Sequence, residues 1–190
     1  MCENIMLRRL SQFLFICGIL ILIKPLYFYS KGYVAQILLD HAWKRTVQTR
    51  SPQLAWPWAE THPVGKIYFP KMDEFFTILD GTTTEALAFG PGLVEGTSYP
   101  GEAGNICIAG HRDSFFNNIQ NLDIGDIIRI DYVDSQQLFQ IENTRVVQPE
   151  DTRWLAPSDS TLLTLITCYP FNYIGDAPDR YIVRAGLVGP

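Results

Sequence analysis

The chain has 190 residues, 47% hydrophobic and 13% aromatic, with a formal net charge of −5. That composition supplies a core and excludes a disordered chain, and an acidic balance with no dense basic run excludes nucleic acid as a partner. The four cysteines form no CxxC pair and His41, His62 and His111 lie far apart, so neither a metal nor a cofactor is expected.

Residues 1–9 read as a cytoplasmic tail carrying Arg8 and Arg9. Residues 10–29, "LSQFLFICGILILIKPLYFY", are almost wholly apolar and predict a transmembrane anchor. No Ala-x-Ala follows, and Ile16 before Cys17 argues against a lipoprotein site, so the anchor is expected to be retained. Basic residues flank it on both sides, and charge alone leaves its orientation open. Residues 30–63 form a connector: Val34, Ile37, Leu38 and His41 recur at helical spacing, and a stretch rich in Pro and Trp follows. Trp43, Trp56 and Trp58 suit a membrane interface or packing on the globular part equally well.

From residue 64 to residue 190 the chain reads as β-structure. Short runs such as "VGKIYF", "FFTILD", "NICIAG", "DIIRIDYV", "LFQIENTRVV", "TLLTLITC" and "RYIVRAGLV" are separated by turn residues. Only "TTTEALA" and "PEDTRWLA" suggest helix. Seven or eight strands predict an all-β barrel or sandwich.

"HRDSFFNN", residues 111–118, imitates the His-Arg-Asp catalytic loop of protein kinases. A kinase also needs a Gly-rich loop, a strand Lys and Asp-Phe-Gly, and none is present. Arg112, Asp113 and Asn118 therefore read as ordinary loop residues. His111 instead closes a strand, Cys168 ends "TLITC", and Arg180 opens the last strand. Thiolate, imidazole and guanidinium are the groups needed for acyl transfer. Taken singly, Cys168 also reads as a small buried hydrophobe, and Arg180 as a partner of Asp176 or Asp179.

"TLITC" with a following-strand Arg and an upstream "AGH" resembles the sortases, membrane-anchored cysteine transpeptidases of the bacterial surface. The resemblance runs from about Gly65 to Val188 and includes "VVQPEDTRWLAPS". Its compact "CYPFNYIGDAPDRYIV" segment looks most like the Gram-negative class, with class D as nearest neighbour. The resemblance implies a closed β-barrel of seven to eight strands with short helices, behind an N-terminal transmembrane helix. It implies Cys168 as nucleophile, His111 as general acid/base and Arg180 as oxyanion- or substrate-orienting group. The substrates would be proteins bearing an LPxTG-like signal, cleaved through a thioacyl enzyme and passed to an amine acceptor. It places the enzyme as a single-pass protein of the bacterial cytoplasmic membrane, catalytic domain outside. The loops offer only Glu95, Glu102, Glu150 and Asp151, so no calcium is expected.

Strand parity adds a groove. His111 shares a face with Ala109 and Cys107, Cys168 with Ile166 and Thr164, and Arg180 with Ile182 and Arg184. Tyr181, Val183, Ala185 and Leu187 then point into the barrel, leaving Ala109, Ile166 and Ile182 as an outer floor for a Leu-Pro segment. A cysteine hydrolase with the same triad and an inactive tethered binding barrel are the alternatives.

Overall fold

The computed structural model describes residues 2–189, with side chains described for residues 8–9, 11–23 and 32–189. It forms two compact units, residues 1–35 and 36–190. Helix α1 covers Cys2–Thr49.

The expected anchor over residues 10–29 is overturned: among the described residues no helix is long and apolar enough to cross a membrane. Residue 10 and residues 24–29 lie outside the described side chains. The expected membrane partner and the single-pass placement in the cytoplasmic membrane lose their basis with it.

In the second unit, α1 buries Leu39, Ala42, Trp43 and Thr46. These recur three and four residues apart, one helical stripe. The helix was legible, but its face was not: Ile37, Leu38 and His41 are exposed. Asp40 ties this part of α1 to the barrel by accepting hydrogen bonds from Lys44 and from Lys66. Trp56 packs beside Leu79 and Phe89, whereas Trp58 is exposed.

Eight strands follow: β1 (Pro63–Phe69), β2 (Glu74–Asp80), β3 (Gly92–Leu93), β4 (Asn105–Ala109), β5 (Ile127–Asp131), β6 (Gln136–Val147), β7 (Leu162–Tyr169) and β8 (Asp179–Leu187). They close in the order β1-β2-β3-β4-β7-β8-β6-β5. The sheet is mixed, with β2–β3 and β4–β7 parallel. The closed barrel of eight strands with short helices agrees with the expected architecture, and the correction concerns only the N-terminal helix: among the described residues none is long and apolar enough to cross a membrane. Between β2 and β3 a short helix, α2 (Thr84–Phe89), is capped by Thr83, whose Oγ1 accepts from the Ala86 amide. Short 3-10 turns cover Asn117–Asn121 and Thr152–Leu155.

Alternation sorts the side chains. Ile106, Ile108, Leu163, Leu165, Val183 and Ala185 all point into one sealed core with Phe69, Phe116 and Phe139. Each such aliphatic side chain contributes about 1.5–3 kcal/mol on burial. The same alternation turns the other face of β4, β7 and β8 outward. Leu187, expected inside, is the last residue of β8 and is exposed.

Candidate active site

β7 lies between β4 and β8, and its two registers build the site. Cys168 stands directly opposite Arg180 across the antiparallel β7–β8 pair, which sets their Cβ atoms about 4.5–5.5 Å apart. On the other side, Ala109 is level with Ile166. The Gly110 amide donates to the Ile166 carbonyl (3.0 Å), and Thr167 Oγ1 donates to the Gly110 carbonyl (2.7 Å). β4 ends at Ala109, and His111 follows two residues past that end, after the Gly110–Ile166 hydrogen bond. Arg180 flanks the cysteine from the neighbouring strand β8, about 4.8 Å away along the sheet.

Gly110 is needed where β4 ends. A Cβ there would meet the Phe116 ring at 2.8 Å, and Phe116 is fully buried against Phe69. The Phe116 amide closes the turn by donating to the His111 carbonyl (3.0 Å). His111 itself is exposed, while Cys168 and Arg180 are half-buried.

The Cys168 thiol is free of any disulfide. Arg180 Nη1 donates to the carbonyls of Ala177 (3.3 Å) and Asp179 (2.9 Å). These are backbone acceptors, and among the described residues no carboxylate pairs with Arg180. Its charge is therefore not neutralised, contrary to the surface-pair reading from sequence.

Below this row, Ala109, Ile166 and Ile182 also align across the three strands. Ala109 and Ile166 are partly accessible, but Ile182 retains only 3% of its surface. Two rows below the cysteine, Cys107, Thr164 and Arg184 align in the same way.

Sequence reasoning passed over Arg112, Asn118 and Trp154. Arg112 reaches into the β7–β8 loop. Asn118 Nδ2 donates to Glu74 at the start of β2 (2.6 Å). The Trp154 carbonyl accepts from Asn105 and Arg184, fastening the β6–β7 connection onto the outer face. Adjacency to His111 was the only available sign for Arg112.

The chain is thus a closed mixed barrel that carries a half-buried cysteine directly opposite an arginine on the neighbouring strand. The sortase-domain family profile matches residues 67–188, and the chain belongs to the sortase family. It is 35% identical over 120 residues to Sortase D of Bacillus subtilis, covering 63% of this chain. The match spans about 61% of that curated relative's length. Among solved structures it is similar to a Clostridium perfringens Sortase D5 transpeptidase, with a TM-score of 0.69 and 27% identity, over 82% of this chain and 99% of that one. It is also similar to a pilus-related Sortase C of Group B Streptococcus, with a TM-score of 0.61 and 28% identity, over 67% of this chain and 68% of that one. These relatives come from Gram-positive bacteria, and the similarity points to classes D and C, correcting the expected Gram-negative class.

Proposed function

We propose that this sortase-family chain is a cysteine transpeptidase for an LPxTG-like sorting signal, with Cys168 as nucleophile, His111 as general acid/base and Arg180 as oxyanion-orienting group. The register supports the reading: Cys168 faces Arg180 across the β7–β8 pair, and His111 comes two residues after the Ala109–Ile166 pair at the end of β4.

His111 takes the thiol proton as the Cys168 sulfur attacks the carbonyl carbon of the signal threonine. The C–S bond forms, the C–N bond to the next residue breaks, and His111 returns the proton to the leaving amine. Arg180, without a carboxylate partner among the described residues, stabilises the oxygen on which negative charge collects. An acceptor amine then attacks the thioester, forming a new C–N bond and releasing the thiol. Ala109 and Ile166 offer the accessible apolar floor for the Leu-Pro segment, and Ile182 lies sealed in the same row.

Incubating the chain with an LPxTG-like peptide, with and without an amine such as triglycine, tests this. The expected result is cleavage with the acyl fragment joined to the amine. Release of free acid at the same rate with or without amine would mark a hydrolase, and an untouched peptide would end the reading.

A further inference from the structure

We propose that Arg112 is a positioning residue, tying the loop that carries His111 to the loop that joins Cys168 to Arg180. This inference rests on the triad reading above. Arg112 Nη1 donates to the Pro170 carbonyl (3.1 Å), and Nη2 donates to the carbonyls of Tyr173 (2.7 Å) and Gly175 (3.0 Å). The guanidinium also lies 5.7 Å from the Tyr173 ring centroid. One side chain thus holds three points of a loop about sixty residues away in sequence.

The partner loop is gripped from its other end by Arg180, which donates to Ala177 and Asp179. Two guanidiniums therefore occupy carbonyls spread from residue 170 to residue 179. Movement of the first half of that loop is transmitted to the seat of Arg180, and movement of Arg112 to the backbone of His111. The far end of the histidine loop is fastened separately, by Asn118 on Glu74 and by Phe116 in the core. Among the described residues, the Arg112 hydrogen bonds are what link the tip of β4 to the loop after Cys168. A planar fork matches several carbonyls at once, whereas an ammonium is a compact point charge.

The test compares wild type, Arg112→Ala, Arg112→Lys, Tyr173→Leu and Cys168→Ala as full-length chains, using peptide transfer kinetics, thermal melts and amide hydrogen exchange. With melts unchanged, Arg112→Ala is expected to lower kcat about 10- to 100-fold, since small misplacements of reacting groups cost that much. KM should stay within about twofold, because no contact to the peptide is removed. Arg112→Lys should stay nearer to the alanine variant than to wild type, and Tyr173→Leu, which keeps the carbonyl, nearer to wild type. Exchange in Arg112→Ala should speed up in residues 111–117 and 170–178 together, with the strands unchanged. Wild-type kcat in Arg112→Ala, full rescue by lysine, or loosening of only one loop would overturn the proposal. If Arg112→Ala melts early, the lysine variant and its exchange pattern decide the matter alone. Transfer by Cys168→Ala would instead end the triad reading, leaving the exchange result to judge the clamp.

Discussion

Two cysteine–arginine sets lie on one outer face of the same strands, and only one is open. In the upper row Cys168 faces Arg180, with His111 two residues past the end of β4. In the lower row Cys107 is level with Thr164, which faces Arg184. There the β6–β7 connection seals the face. Arg184 Nη2 donates to the Trp154 carbonyl (2.9 Å) and to Thr164 Oγ1 (3.3 Å), and its guanidinium lies over the Trp154 ring at 5.0 Å. Asn105 Nδ2 donates to Trp154 and Ala156, and its Oδ1 accepts from Thr164. Cys107 is left with no accessible surface, and burial pushes its thiol up to about 11. Residue type is shared between the rows; access to the reacting atom is not. The two thiols are also about 13 Å apart along the sheet, too far for a disulfide, and both are free.

Replacing each cysteine breaks the symmetry most directly. Cys168→Ala should abolish transfer, while Cys107→Ala should leave kcat within about twofold, as expected for a residue outside the reacting set. Peptide turnover by both variants is the measurement.

The flanking groups come next. His111→Ala should lower kcat about 10²–10⁴-fold and Arg180→Ala about 10²–10³-fold, the usual scale for acid–base and oxyanion contributions. The melting temperatures of both should stay near wild type, because neither side chain belongs to the sealed core.

The middle row separates open from sealed within a single register. Ile182→Asp places a carboxylate where 3% of the surface is accessible, and should cost several kcal/mol, read as an early denaturant midpoint. Ile166→Asp is partly exposed and should fold, with KM raised by an order of magnitude or so if Leu-Pro lies against it. Early unfolding of the Ile166 variant would remove it from the groove.

The sealed row also carries an alkaline effect, on stability rather than turnover. Because burial raises the Cys107 thiol from 9.0 to about 11, its contribution to stability is full below about pH 9 and lost as pH rises through about 11. That amounts to a loss on the order of 2–3 kcal/mol across the window, measured by denaturant titration at each pH. Cys107→Ala should flatten the profile.

Much of the upper row was legible because strands alternate and motifs sit at their ends. "TLITC" sent Leu165 inward and Cys168 outward, and the same parity aligned Ala109, Ile166 and Ile182. What covers a row was not legible. The seal over Cys107 depends on where Trp154 lands, a contact made 47 residues away in sequence. Arg112 and Asn118 looked like an accidental kinase motif, and their roles depend on loops that only the closed barrel brings near. The buried face of α1 was not legible, because Ile37 and Leu38 are apolar yet exposed, whereas Leu39, Ala42 and Trp43 are buried. The apolar leader suggested a span from hydropathy alone, and among the described residues no helix is both long and apolar enough to cross a membrane.

The open-versus-sealed account is tested most directly by trapping the covalent intermediate. Peptide bearing an LPxTG-like signal is mixed with the full-length chain without amine, quenched in acid and digested for mass spectrometry. The expected result is an acyl mass on the peptide containing Cys168, none on Cys107, and its disappearance when amine is added before the quench. An acyl group on Cys107, or transfer proceeding with no modified cysteine, would contradict the account.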